Sequence, residues 1–134
     1  ISIDSGDNIA ELPLSAMSDG TIKWLALITA VLTSRDIFSI EEPENYLHPW
    51  MQGEIVKLMR STFSDDNKKS FILMTTHSES LINYATPEEL VVVSMSMGKT
   101  RAVRVENIKQ LKNEIANTGF GLGHFYISNS LTDE

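Results

Sequence analysis

Two short apolar runs end in groups that could do chemistry. The segment IFSIEEP carries Ile40 into Glu41, Glu42 and Pro43, and FILMTTH carries Met74 through Thr75 and Thr76 into His77. If each run is a strand, neighbouring side chains alternate faces, so the two glutamates diverge. That suits one carboxylate near a metal ion and the other near a water. A third element lies earlier, at Met17, Ser18, Asp19 and Gly20. At the start of a helix, unpaired N–H groups, the positive end of the dipole, a hydroxyl and a glycine that allows close approach together make a phosphate site. Asp19 opposes it unless its carboxylate points away. Taken singly, each feature has a plainer reading that wins: a solvated loop start for the glutamate pair, a helix cap or a satisfied ring for His77, an N-cap for Ser18.

The elements that must hold these groups can be read from periodicity and punctuation. Ile1 to Pro13 is a hairpin or loop. Ser18 and Asp19 are helix N-caps, and Thr21 to Thr33 follows with apolar residues on nearly every face, which predicts a helix buried on more than one side. Asp36 to Ile40 is a short strand ended by Pro43. Pro49 suits a helix first turn, with Ile55, Leu58, Met59 and Phe63 at three and four residue spacing, and Ser64 to Asn67 closes that helix as a polar loop. Phe71 to Met74 is a second strand, and a Ser-Glu-Ser helix start follows His77. Two almost uniformly apolar runs around a helix predict a βαβ unit in a parallel sheet buried on both faces. Leu90 to Met97 and Arg101 to Val105, either side of Gly98, read as an antiparallel hairpin at a sheet edge, and Asn107 to Asn117 as a polar helix. The GFGLG segment from Gly119 to Gly123 ends ordered structure or docks it. The chain is treated as one unit of the α/β class. In such sheets ligands sit beyond the carboxyl ends of the strands, where Glu41, Glu42 and His77 fall.

In order, these elements resemble a known set. LSAMSDGTIKWLAL is similar to the signature motif and helix of ABC-class ATPases, IFSIEEP to the Walker B strand, ENYLHP to the D-loop and MTTHS to the switch-histidine loop. The resemblance is to the RecF/SMC-like and OLD-like branch, often described as AAA family ATPases. GLGHFYISNSL is similar to the glycine segment near the end of such domains. It spans Leu12 to Leu131 and rests on four motifs in the right order. It implies the C-terminal lobe of an ABC-type P-loop NTPase, with a mainly parallel buried sheet flanked by helices and an antiparallel edge hairpin.

The resemblance also implies roles. Glu42 takes the position of the glutamate that polarises the water attacking the γ-phosphate of ATP, and Glu41 that of the carboxylate that holds Mg²⁺, here with one methylene more than the commoner aspartate. His77 takes the position of the histidine that contacts the γ-phosphate. Ser18 and Gly20 take those of the signature serine and second glycine, which reach ATP bound to the opposing subunit, with Asp19 replacing the first glycine. Asn45 and His48 fall in the D-loop, at the dimer interface. The partners implied are a second ATPase subunit, the Walker A lobe of the same protein, and an effector nuclease or toxin. The settings implied are bacterial anti-phage defence or DNA repair, in the cytoplasm. The alternatives are an ATP-gated clamp or sensor with little hydrolysis, favoured by Glu41 and Asp19, and the nucleotide-binding subunit of a transporter.

A phosphate-gripping loop needs GxxxxGK[ST]. Gly98-Lys99-Thr100 has Val93 where the first glycine belongs, follows the switch histidine and lies in a predicted hairpin turn, so it is a decoy. Neither Gln52 nor Gln110 serves as a Q-loop residue, since both lie in predicted helices. No nuclease signature appears. The Walker A lobe is therefore expected outside these 134 residues, and Ile1, without an initiator Met, fits a piece of something longer. With 11 Lys and Arg against 18 Asp and Glu, a net charge of -7, the chain carries no general footprint for nucleic acid or an anionic membrane, which leaves DNA contact to other regions. Cysteine is absent, which excludes disulfides and thiolate chemistry and is compatible with a reducing compartment. No apolar stretch approaches the roughly 18 to 20 residues of a membrane span.

Overall fold

The computed structural model describes residues 2–4, 9–11, 13–34, 37–63 and 70–132. The predicted polar loop Ser64 to Asn67, and Asp36 at the start of the predicted strand, lie outside the described residues. The chain forms two compact units, 1–75 and 76–134, where the sequence suggested one.

In the first unit, strands β1 (Ser2–Asp4) and β2 (Ile9–Glu11) pair antiparallel, where a hairpin or a loop was expected. A 3-10 turn at Leu14–Ala16 leads to helix α1, Asp19–Thr33. Ser18 is its N-cap: the hydroxyl accepts the Thr21 N–H at 3.2 Å and pairs with the Thr21 hydroxyl at 2.8 Å, satisfying a donor the helix cannot. Asp19 in the first turn complements the dipole. Strand β3 (Phe38–Glu41) pairs parallel with β4 (Ile72–Thr75), Phe38 opposite Ile72 and Glu41 opposite Thr75, and helix α2 (Pro49–Phe63) makes the crossover. This is the expected βαβ unit. Pro49 begins α2, and Ile55 and Met59 are buried on it as the spacing predicted.

Two burial expectations fail in this unit. The β3–β4 sheet is not buried on both faces: exposure alternates along each strand, with Ser39, Glu41, Leu73 and Thr75 outward. Nor is α1 buried on several sides. It packs against α2 and buries only Leu27 and Val31, while Leu25 and Leu32 stay exposed. The sequences are apolar enough for two covered faces, but the described residues cover one.

The second unit has a buried core of its own. Helix α3 (Glu79–Ile82), capped by Ser78, is followed by a 3-10 turn at Pro87–Glu89 and the antiparallel strands β5 (Val91–Ser96) and β6 (Lys99–Arg104). Met97 and Gly98 both have positive φ, 49° and 73°, as a two-residue type I′ hairpin demands. Gly98-Lys99-Thr100 is thus a turn running into a strand. Among the described residues this hairpin is a sheet of its own and not the edge of a larger one. Helices α4 (Ile108–Thr118) and α5 (Leu122–Ile127) complete the unit around Ile82, Val105, Leu111, Leu122, Phe125 and Leu131. Among the described residues no helix is long and apolar enough to cross a membrane.

Candidate functional site

Glu41 ends β3 with an exposed side chain. At Glu42 the chain leaves the strand through φ +41°, a region a β-carbon disfavours and one that marks sites where the surroundings dictate the backbone. Four hydrogen bonds do so here. The Glu42 N–H donates to the Thr75 carbonyl at 3.0 Å, extending the parallel pairing by one residue. The Glu42 carbonyl accepts the Asn45 N–H at 3.2 Å and the Lys23 ammonium at 3.0 Å. The Asn45 side-chain amide donates to Glu42 Oε2 at 2.7 Å. Glu42 is half-buried and its carboxylate is aimed, whereas Glu41 points to solvent. Strand alternation was expected to set the two glutamates apart, but β3 ends at Glu41 and the different exposure of Glu42 comes with its left-handed backbone.

The ENYLHP segment is built around this turn. Pro43 is fully buried and Leu47 nearly so. Tyr46 also has positive φ, 66°, and its carbonyl turns toward α1, where a β-carbon on Gly20 would lie 2.6 Å from it. Gly20 therefore lets the start of α1 touch this turn, a packing role beside the phosphate approach expected of it. Lys23, one turn further along α1, sits 5.9 Å from the centre of the Tyr46 ring. His48 Nδ1 accepts the Trp50 N–H at 3.2 Å and so caps α2, and Gln52, buried inside α2, donates from its side chain to the Leu47 carbonyl at 3.0 Å. Ser18, Asp19, Gly20, Glu41, Glu42, Asn45 and His48 thus all belong to the first unit.

His77 belongs to the second unit, two residues after β4 ends. Its main chain is set by a turn in which the Ser78 N–H donates to the Thr76 hydroxyl at 3.0 Å, and Ser78 then caps α3 through the Leu81 N–H. The ring is exposed, with Nδ1 3.1 Å from the Tyr126 hydroxyl on α5. Of the other histidines, His124 stacks on Phe120 with centroids 4.2 Å apart.

Two residues of the site, Lys23 and Tyr126, were not among the sequence candidates. Lys23 had a visible signal, as the sole cation on an otherwise apolar helix. Asn45, expected at a dimer interface, is bonded to the Glu42 carboxylate. Tyr126 gave no local sign, because the contact closes a separation of 49 residues. Among the described residues no group of three or more His, Asp or Glu side chains could cage a metal ion. A lone exposed carboxylate such as Glu41 suits instead a hydrated Mg²⁺ that takes most of its oxygens from substrate phosphates and water.

The family model described as "AAA domain, putative AbiEii toxin, Type IV TA system" matches residues 4–83, which include every candidate residue above except Tyr126. The energy-coupling factor transporter ATP-binding protein EcfA2 of Staphylococcus aureus, in strains USA300 and NCTC 8325, is 25% identical over 118 residues. That stretch is 88% of this chain and 40% of the relative's own length.

Proposed function

Since the chain belongs to this AAA domain family of the P-loop ATPase class, we propose that it forms the C-terminal lobe of an ABC-type ATPase, of the RecF/SMC-like and OLD-like branch, that closes as a dimer around ATP and hydrolyses it. The observation that carries the reading is the main-chain and side-chain hold on Glu42 at the end of a parallel strand. Phosphoryl transfer needs positioning and charge stabilisation more than covalent chemistry. A half-buried carboxylate fixed by Asn45 suits a group that orients the attacking water and accepts its proton. Ser18, at the N-terminus of α1, and His77 supply hydrogen bonds to the γ-phosphate, Ser18 to that of ATP on the opposing subunit. Glu41 is the carboxylate that would hold Mg²⁺, which when bound neutralises charge on the phosphate oxygens.

The loop that grips the β-phosphate belongs, on this reading, to a Walker A lobe outside these residues. The outward Leu73 and Phe71 beside β3, and Leu25 and Leu32 on α1, support it as apolar surface for a further lobe to cover. The family description, with its toxin and toxin–antitoxin terms, supports a setting in bacterial defence, where closure around ATP controls an effector nuclease or toxin. DNA repair is the other setting. The test is Mg-dependent phosphate release by the complete protein. It should release phosphate, and His77→Ala should slow release with a smaller change in ATP affinity. ATP binding without turnover would mark a clamp or sensor, and wild-type turnover in His77→Ala would remove that residue from the site.

The likeness to EcfA2 favours a second reading, an ATP-binding subunit of a transporter. Purification of the complete protein from its host separates the two. Stable association with a membrane-spanning subunit supports the transporter, and a membrane-free assembly supports the first reading.

A further inference from the structure

We infer that Tyr126 is a positioning residue that sets the proton location and ring orientation of His77, and that the glycines of the GFGLGHFY segment exist to bring it there. The inference rests on the reading of His77 as a phosphate contact. Its own support is geometric. The Tyr126 hydroxyl is 3.1 Å from His77 Nδ1, and the Tyr126 ring is half-buried against the core of the second unit.

That approach depends on how closely α5 lies on α3. A β-carbon on Gly123 would fall 2.4 Å from the Glu79 carbonyl oxygen and 2.9 Å from its carbon, both backbone atoms that cannot swing aside. One on Gly121 would fall 2.2 Å from Asn83 Oδ1, the same oxygen that accepts the Gly123 N–H at 2.7 Å. Two absent side chains and one side-chain-to-backbone bond therefore fix α5 against the helix that begins directly after His77. Tyr126, three residues beyond Gly123 and so on the same face of the helix, follows from that docking.

The chemical consequence concerns one proton. A neutral imidazole carries its hydrogen on only one nitrogen, and a phosphate oxygen is an acceptor, so the nitrogen facing phosphate must bear the N–H. A tyrosine hydroxyl donating to Nδ1 stabilises the tautomer protonated at Nε2. Nε2 is then the nitrogen that donates to the phosphate. Without the hydroxyl this bias toward the Nε2-protonated tautomer is lost.

The experiment uses the complete protein and Tyr126→Phe, which keeps the ring and its packing. Selective ¹⁵N labelling of histidine, with the His77 signal assigned by its loss in His77→Ala, should show the Nε2-protonated pattern in wild type and a mixed pattern in Tyr126→Phe. Turnover should fall about three- to tenfold, the size of one hydrogen bond, with KM for ATP unchanged. In a His77→Ala background the same substitution should do nothing more. Wild-type tautomer and turnover in Tyr126→Phe overturn the inference, and so does an equal loss in the His77→Ala background, since Tyr126 would then act elsewhere. Wild-type turnover in His77→Ala together with a tautomer shift in Tyr126→Phe is a different result. It overturns the catalytic use of His77, and with it the use of Tyr126, while leaving the contact itself in place.

Discussion

The turn at Glu42 and the loop at His77 hold one candidate residue each, by different means. Glu42 is held from the backbone outward: its N–H, its carbonyl and its carboxylate are each engaged, and the chain accepts a left-handed residue to make that so. At His77 the contact is to the side chain, from a hydroxyl delivered on a docked helix. The surroundings do not separate the two. Each unit buries apolar side chains, Leu27, Val31, Ile55 and Met59 in the first and Ile82, Val105, Leu111 and Leu122 in the second, and each leaves others uncovered, Leu25, Leu32 and Leu73 in the first and Val93, Met95 and Ile127 in the second. The difference lies in reach along the chain: the Glu42 carboxylate is bonded by Asn45, three residues away, whereas the His77 contact closes a separation of 49 residues and depends on helix docking.

Substitutions can break this contrast. Gly123→Ala should have the largest effect on stability, about 1 to 3 kcal/mol from overpacking, because the clash is with backbone. It should also slow turnover by moving Tyr126 from His77. Chemical denaturation and phosphate release measure both. A Gly123→Ala protein of wild-type stability would show that α5 is not docked as described.

Lys23→Met comes next. It removes a charged donor from the Glu42 carbonyl while Asn45 keeps its bond, so a loss of about 1 kcal/mol is expected, with reduced turnover and little change in ATP affinity. Full activity would mean that the backbone at Glu42 needs no such support.

The smallest effect concerns an exposed pair in the second unit. The Lys112 ammonium beside Glu88 holds that carboxyl below the ordinary range. A carboxyl lowered in the folded state adds stability above its unfolded value and loses it as pH falls through the folded one. Lys112→Met should therefore melt slightly below wild type at neutral pH, and the gap should close on acidification. A gap that persists in acid would assign the loss to helix α4 and not to the pair.

Much of this was legible beforehand. The βαβ unit, the hairpin about Gly98, the cap at Ser18 and the start of α2 at Pro49 follow from local signals, namely short apolar runs, positive-φ turns and side chains that bond their own backbone. The strand ends pointed to Glu41, Glu42 and His77 for the same reason. Burial was over-read in β4 and α1, since apolar composition says that a face can be covered and not what covers it. The supports of the site were hidden because they are tertiary. Asn45 reaches Glu42 only once the chain turns through a positive φ, and Gly20 and Gly123 have meaning only when Tyr46 and Glu79 lie against them.

The central claim is that Glu42 serves the water and not the binding of ATP. It is tested most directly by Glu42→Gln in the complete protein, with Mg-ATP binding and phosphate release measured on the same sample. Binding should stay within about twofold of wild type, release should fall by about 10²- to 10⁴-fold, the range for loss of a positioned base, and closed dimers should accumulate with ATP. Phosphate release at the wild-type rate would contradict the account.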